Sequence, residues 1–130
     1  MDSRVEKAIS KKSGGQYNCA QAVACTYADL TSFDEDAIAR MTAAFGTGMG
    51  SMDGTCGALV GAGVIIGLVD GDRVRSRAAM KEIIDKFKHA NGATICRELK
   101  GIASGRCLRE CNDCVADAAR LLENYLASKS

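Results

Sequence analysis

The stretch FGTGMGSMDGTCGALVGAGVIIG, residues 45–67, decides the fold that we expect for this chain. Four glycines at positions 46–54 predict a loop whose backbone can pass close to other groups. From Cys56 onward the residues of this stretch are small or aliphatic and carry no charge. Gly57 and Gly61 lie four positions apart, so on a helix they form a smooth stripe that a second helix can approach closely. The segment therefore predicts a buried central helix that follows a glycine-rich loop.

Cys56 stands at the start of this predicted helix. Either Asp53 or Thr55 can cap the helix, which places Cys56 in or beside its first turn. The positive end of the helix dipole favours the thiolate form of a cysteine at that position. We expect a reactive sulfur there. A small buried core cysteine would explain the glycines and aliphatic residues equally well, but it would not explain the other six cysteines.

The composition of the chain indicates one helical domain. Its 130 residues are 47% hydrophobic and 25% charged, which is enough to bury a core. Proline is absent, and the recurring Ala, Leu, Glu, Lys and Arg favour helices. A net charge of +1 and an aromatic content of 5% argue against nucleic acid or an anionic membrane as a partner. The longest uncharged run, residues 54–69, is too short and rich in glycine for a membrane span.

The first residues and the cysteine count bear on where the chain works. MDSRVEKAIS lacks the apolar segment of a signal peptide, so we expect a cytoplasmic protein. Seven cysteines in a reducing compartment indicate metal or redox chemistry rather than a framework of structural disulfides. The partner that we expect is accordingly a redox protein.

Helical patterns cover most of the chain and predict a single-domain, all-α bundle of six or seven helices over residues 1–130. Asn18 and Gln21 have the spacing of a capping box. We expect Met41 and Val74 to face the core and Thr94 to cap the sixth helix. The predicted helices span residues 3–12, 18–30, 34–45, 56–70, 72–91, 94–100 and 112–127.

Four cysteines share a position in or next to the first turn of a predicted helix: Cys19, Cys56, Cys96 and Cys111. In an up-and-down bundle the second, fourth and sixth helices begin at the same end. Helix amino termini aimed at thiols gathered at one pole of the bundle would stabilise thiolates or a metal–thiolate site. We therefore assign these four as the candidate catalytic and metal-binding residues. Gly57 and Gly61 beside them are candidate cofactor-binding residues.

Four short motifs follow one another along the chain: NCAQAV at 18–23, CGALVGA at 56–62, CREL at 96–99, and DAA at 117–119 after Cys111. Together they resemble a family of small redox-active proteins named for its cysteine pattern, C…GCAxxG…C…C. The resemblance covers nearly all of the chain from residue 18 onward and implies a helical redox or metal-binding protein. A similar domain is joined to haem-binding segments in the split-Soret cytochromes, where an iron–sulfur centre is also implied. This chain has no C-x-x-C-H motif, which excludes covalent c-type haem.

Cys25, Cys107 and Cys114 lie outside the family pattern. Cys25 lies about 240° round a helix from Cys19 and is interpreted as a core thiol. Cys107, Cys111 and Cys114 have the spacing C-x3-C-x2-C, with which one loop can hold three corners of a [4Fe–4S] cluster. Cys107 and Cys114 are therefore alternative ligands. Residues 111–114 are also a C-x-x-C that opens a helix, as in dithiol redox proteins, although the βαβ context is missing.

Three functions are compatible with this cysteine pattern. The one that we favour is electron transfer or redox sensing by an iron–sulfur cluster held on thiolates. The second is a cofactor-free thiol/disulfide oxidoreductase or redox switch. The third is a structural domain stabilised by zinc, without redox chemistry.

Overall fold

A computed structural model describes residues 2–129 of the chain. Seven α-helices build the fold of these residues: α1 (Val5–Ser13), α2 (Cys19–Thr26), α3 (Glu35–Thr42), α4 (Gly57–Asp70), α5 (Arg73–Asn91), α6 (Cys96–Lys100) and α7 (Cys111–Ser128). A 3-10 turn, Ala28–Leu30, follows α2, and a π turn, Gly48–Met52, precedes α4. Between residues 2 and 129 the chain forms no strand, only an isolated antiparallel bridge between Thr55 and Ile95. The prediction of a single all-α domain is confirmed.

Helix α4 lies at the centre of the bundle because it packs against α2, α5 and α7. Its side chains Leu59, Ile65 and Ile66 are fully buried. The close approach of α2 depends on Gly61, where a Cβ atom would lie 2.4 Å from the carbonyl oxygen of Ala20. A contact that short leaves no room for any other residue. The glycine stripe predicted from the sequence therefore serves as the contact between α2 and α4. In the part of the chain that the structure describes, no helix has the length and apolar character needed to cross a bilayer.

The ends of several helices follow from local sequence. The predicted capping box opens α2: the backbone N–H of Gln21 donates to the Asn18 side chain at 2.8 Å, and the Asn18 N–H donates to the Gln21 side chain at 2.9 Å. Asp72 caps α5 by accepting a hydrogen bond from the Arg75 N–H at 2.8 Å. Helix α5 ends at Gly92, whose φ of +86° lies in the left-handed region that favours glycine.

A polar network ties α2 to α7 through the interior. Tyr27, fully buried at the end of α2, donates a hydrogen bond of 2.5 Å to the Glu123 carboxylate on α7. Glu123 also accepts a hydrogen bond of 2.6 Å from the backbone N–H of Arg4, just before α1. Burial, followed by the hydrogen bond to Glu123, raises the pKa of Tyr27, so the phenol stays protonated and remains the donor.

Two predicted caps are wrong, and both corrections have the same cause. Thr94 does not cap α6, whose N-cap is Ile95, and neither Asp53 nor Thr55 caps α4, whose N-cap is Cys56. The backbone around Thr55 and Ile95 is instead used to join the two segments in the antiparallel bridge. A contact between residues forty positions apart overrides the local capping signals.

Two predicted core residues are exposed, and two helices are shorter than predicted. Val74 is 68% exposed because it lies in the first turn of α5, where burial begins only at Ala79. Met41 is 38% exposed, since α3 turns its Ile38 face to the core. The second predicted helix ends at Thr26 and continues as the 3-10 turn, and the third ends at residue 42 rather than 45.

Candidate functional site

Two segments distant in the sequence cross immediately before α4 and α6 and bring two cysteines to the starts of these helices. The backbone N–H of Cys56 donates to the carbonyl oxygen of Thr94 at 2.7 Å, and that of Cys96 donates to Gly54 at 3.0 Å. Cys56 is therefore the buried N-cap of α4, and Cys96 is the buried first residue of α6. These two backbone hydrogen bonds fix the amino termini of α4 and α6 with respect to each other.

The glycine-rich loop and the start of α4 approach the cysteines so closely that only glycine fits at two positions. At Gly48, where φ is +56°, a Cβ atom would lie 2.6 Å from the Cβ of Cys96. At Gly57 a Cβ atom would lie 2.4 Å from the sulfur of Cys19. The glycines therefore place backbone, rather than side chains, against the two sulfur-bearing residues. Gly57 and Gly61 remain predictions as cofactor-binding residues, because their contacts here are to Cys19 and to α2.

Cys19 and Cys111, the first residues of α2 and α7, interact strongly enough to shift each other's pKa. The hydrogen bond from Cys111 is the main reason that the pKa of Cys19 falls to about 6. Burial opposes this shift, while the backbone of Thr47 and the charge of Lys12 support it. The same hydrogen bond raises the pKa of Cys111. Near neutral pH the pair therefore consists of a Cys19 thiolate and a Cys111 thiol that donates to it.

Cys56 and Cys114 form a second pair of the same kind. A hydrogen bond from Cys114 is the largest influence that lowers the pKa of Cys56, against the effect of burial. The backbone groups of Ala58 and Leu59, in the first turn of α4, also favour the thiolate. The pKa of Cys114 is raised, first by its hydrogen bond to Cys56 and then by burial. In both pairs the cysteine at the start of α2 or α4 has a lowered pKa and its partner on the first turn of α7 has a raised one.

The two pairs interact electrostatically. The Cys19 charge raises the pKa of Cys56, and the Cys56 charge contributes to the raised pKa of Cys111. Burial raises the pKa of Cys96, and the charges of Cys56 and Cys19 add to that effect. Among residues 2–129, however, no three or more His, Cys, Asp or Glu side chains are arranged to hold a single metal ion. The gathering of Cys19, Cys56, Cys96 and Cys111 into one metal-binding pole therefore stays a prediction.

The remaining two cysteines stand apart from these pairs. Cys25 lies in the core, where its thiol donates to the carbonyl oxygen of Glu35 at 3.7 Å, and burial raises its pKa to about 11. Cys107 is exposed in the loop before α7, where its thiol donates to the Glu110 carboxylate at 3.5 Å. The protonated, buried Cys25 and the solvent-facing Cys107 thus differ in chemistry from the paired thiols.

The sequence does not predict the interaction of Cys114 with Cys56, because it offers Cys114 as an alternative ligand or as one half of a C-x-x-C dithiol with Cys111. The signal was present in the C-x-x-C spacing at 111–114. Residues three apart in the first turn of a helix lie on one face, so two thiols of α7 can each meet a partner. The sequence does not contain the pairing itself, because Cys19 and Cys56 reach α7 only through the packing of α2 and α4.

Comparison with known proteins gives one clear result. A family profile described as "Putative redox-active protein (C_GCAxxG_C_C)" matches residues 17–125. That range includes all seven cysteines and both thiol pairs. No match was found among curated proteins or among solved structures. Because the profile matches most of the length of the chain, the chain belongs to the C_GCAxxG_C_C family of redox-active proteins.

Proposed function

We propose that this protein is a thiol/disulfide redox protein whose working pair is Cys19 and Cys111. The observation that supports the proposal is that these two cysteines, at the starts of α2 and α7, interact, and that this interaction is the largest influence lowering the pKa of Cys19 to about 6. The thiolate is the reactive form of cysteine, and a neighbouring thiol is the group with which it forms a disulfide. A depressed pKa and a partner already in contact are the two requirements of such a pair.

Access from solvent favours this pair over Cys56 and Cys114. Cys56 and Cys114 are both buried, whereas Cys111 is only partly covered. An external disulfide can therefore reach Cys111, which attacks it once its proton has passed to the Cys19 thiolate, and Cys19 then resolves the mixed disulfide, so the pair gives up two electrons. One thiolate and one thiol become a protein disulfide, and the external disulfide leaves as one thiolate and one thiol. We propose Cys56, Cys96 and Cys114 as the inner members of the same site, and the reducing cytoplasm as the compartment in which it works.

Disulfide mapping tests the proposal. Fully reduced protein is oxidised anaerobically with a small disulfide, its free thiols are alkylated, and the linked peptides are identified by mass spectrometry. The Cys19–Cys111 linkage should be the first to form, and Cys19→Ser should abolish it. Cys25→Ser is the matched control, because this buried thiol lies outside the pairs and its loss should leave the linkage unchanged. Oxidation of other cysteines while Cys19 and Cys111 both stay free would refute the proposal.

A second candidate is an iron–sulfur cluster for electron transfer or redox sensing. It is favoured by the mutual electrostatic effects of the paired thiols, since Cys111 and Cys56 both raise the pKa of Cys114. Several thiolates that repel one another are the kind of donor set that iron–sulfur clusters and zinc accept. The donors suit such a centre in their chemistry. In the described part of the chain no three of them are positioned for one metal ion, which bears on a zinc site, whereas the thiolates of a cluster each bind a different iron.

The two candidates are separated by the protein as purified without oxygen. A cluster predicts visible absorption together with iron and acid-labile sulfide, and Cys56→Ser should then remove the centre while the exposed Cys107→Ser retains it. Bound zinc without visible absorption would favour the zinc-stabilised structural domain. A colourless, metal-free protein that forms the Cys19–Cys111 disulfide would favour the thiol/disulfide function.

A further inference from the structure

We propose that residues 47–53 form a cover loop, which closes over the sulfurs of Cys19 and Cys96, opens while the helices stay folded, and is held closed by Arg97. The inference deepens the proposed function and rests on it for its consequence, because opening of the loop admits a reactant to Cys19. The cover loop itself can be tested whether or not Cys19 and Cys111 form a disulfide.

The cover loop lies directly on the two cysteines. At Gly48 a Cβ atom would lie 2.6 Å from the Cβ of Cys96, and the backbone of the preceding residue, Thr47, interacts with the Cys19 thiol. Cys96 and Cys19 are only 6% and 4% exposed, although each is the first residue of a helix. Displacement of two adjacent residues of one loop would therefore open a path to both sulfurs.

The backbone of the cover loop is strained in its closed position. Thr47, Met49 and Met52 have φ angles of +52°, +64° and +67°, in the left-handed region. That region is unfavourable for residues with a Cβ atom, and most of all for a β-branched residue such as Thr47. Strained residues of this kind persist only where the surrounding structure holds them, and they are typical of segments that switch between positions. Opening of the loop releases this strain.

The cover loop contributes almost nothing to the core. Among residues 47–53 only Gly48 is buried, and glycine has no side chain to pack. The carbonyl oxygen of Gly48 accepts hydrogen bonds from the Gly54 N–H at 3.0 Å and from the Ser51 hydroxyl at 3.4 Å, so these bonds move with the loop. Segments with few buried side chains open at a small cost in free energy. The loop can therefore open by itself.

Arg97, on α6, fastens the cover loop from outside. Its Nε donates to the carboxylate of Asp53 at 2.9 Å, and its Nη2 donates to the carbonyl oxygen of Ser51 at 3.3 Å. Asp53 is the only charged residue of the loop. The side chains of Arg97 and Asp53 are 41% and 71% exposed, so their ion pair is weak and is screened by salt. Such a fastening holds the loop closed without locking it.

Alkylation of Cys96 by N-ethylmaleimide, followed by mass spectrometry, tests the cover loop. Asp53→Asn removes the ion pair and should raise the labelling rate about two- to fivefold, the factor that an exposed ion pair is worth. Arg97→Gln should also raise the rate, but by less, because loss of the Arg97 charge makes the Cys96 thiol less acidic. The rate at Cys19 should follow the rate at Cys96 in both variants, since one loop covers both.

Two matched variants remove exposed ion pairs elsewhere. Asp85→Asn breaks the pair with Lys81 on α5, and Arg40→Gln breaks the pair with Asp36 on α3. Neither should change the labelling of Cys96. About 1 M sodium chloride should raise the rate in the unmodified protein as Asp53→Asn does, and should add little in that variant.

Cys25 is the internal reference, because it is 4% exposed at the other end of α2 and lies away from the cover loop. Its labelling should stay constant in every variant. A rise at Cys96 in only one of Asp53→Asn and Arg97→Gln, or in neither, would overturn the cover loop. So would an equal rise at Cys25, which would mean that the whole fold opens, or rates at Cys19 and Cys96 that change independently. Each of these outcomes leaves the proposed function to the disulfide mapping described above, which does not depend on the loop.

Discussion

The thiol of Cys19 should titrate about three pH units below an ordinary cysteine. Its pKa of about 6 compares with an ordinary value of 9.0, while Cys25 has a pKa of about 11. At pH 7 these values correspond to about nine-tenths thiolate for Cys19 and roughly one hundredth for an ordinary cysteine. Alkylation of Cys19 should therefore increase as the pH rises through 6 and level off above pH 7. Alkylation of Cys25 in the same protein should still be increasing at pH 9.

The midpoint of this profile, rather than the absolute rate, is the quantity to measure. A thiolate of low pKa is intrinsically less nucleophilic, and a pKa three units lower reduces its rate constant by about 15- to 30-fold. That loss of nucleophilicity offsets much of the gain in thiolate fraction. Burial of Cys19 lowers its alkylation rate further. The pH midpoint of alkylation does not depend on nucleophilicity or on burial of the sulfur. They are obtained by alkylating with iodoacetamide at a series of pH values and counting the labelled peptides by mass spectrometry.

Substitution of Cys111 tests the cause of the shift. Cys111→Ala removes the hydrogen-bond donor that contributes most to the low pKa, so the midpoint for Cys19 should move upward. Cys111→Ser keeps a donor at that position and should retain part of the shift. A midpoint near 9 in the unmodified protein, or one that Cys111→Ala leaves in place, would refute the explanation by this hydrogen bond.

Three substitutions and one oxidation test the packing around the site by denaturant unfolding. Gly61→Ala should destabilise the fold by about 1–3 kcal/mol, because its Cβ would lie 2.4 Å from a carbonyl oxygen of α2. Gly67→Ala on the same helix meets nothing within 4 Å and should stabilise by about 0.5–1 kcal/mol, so equal losses in both variants would contradict the stripe. Tyr27→Phe should cost about 1.5–3 kcal/mol through the lost hydrogen bond to a carboxylate; an unchanged stability would show that this bond contributes nothing. Oxidation of Cys19 and Cys111 should raise the free energy of unfolding, and a decrease would show that their disulfide is strained.

The features that the sequence predicted correctly depend on residues close together in the chain. The capping box of α2 involves Asn18 and Gln21, three positions apart, and the glycine stripe involves Gly57 and Gly61, four apart. The left-handed φ at Gly92 is a property of one residue at the end of a helix. Each is decided by local geometry, so a single sequence is sufficient to find it.

The features that the sequence did not reveal arise from contacts between distant segments. Thr94 had the residue type of a cap, but its carbonyl oxygen accepts the N–H of Cys56, and α6 begins two residues later. Cys114 meets Cys56 only because α4 packs against α7. Val74 had the residue type of a core position, but no packed face is present at the start of α5. In each case tertiary structure selects among options that local sequence leaves equal.

The location of the pair couples its redox chemistry to the fold. A disulfide between Cys19 and Cys111 would close a loop of about ninety residues, which in the chain-entropy account stabilises the folded state by about 4–5 kcal/mol. By the same thermodynamic cycle, folding favours that disulfide by the same amount, equivalent to roughly 100 mV in the reduction potential. The hydrogen bond and helix terminus that stabilise the Cys19 thiolate act in the opposite direction, because they favour the reduced state. The potential of the site is therefore set by the balance between chain connectivity and the local stabilisation of one thiolate. The Cys111→Ser and Cys111→Ala variants cannot form the disulfide, so they report the second of these alone, through the pKa of Cys19.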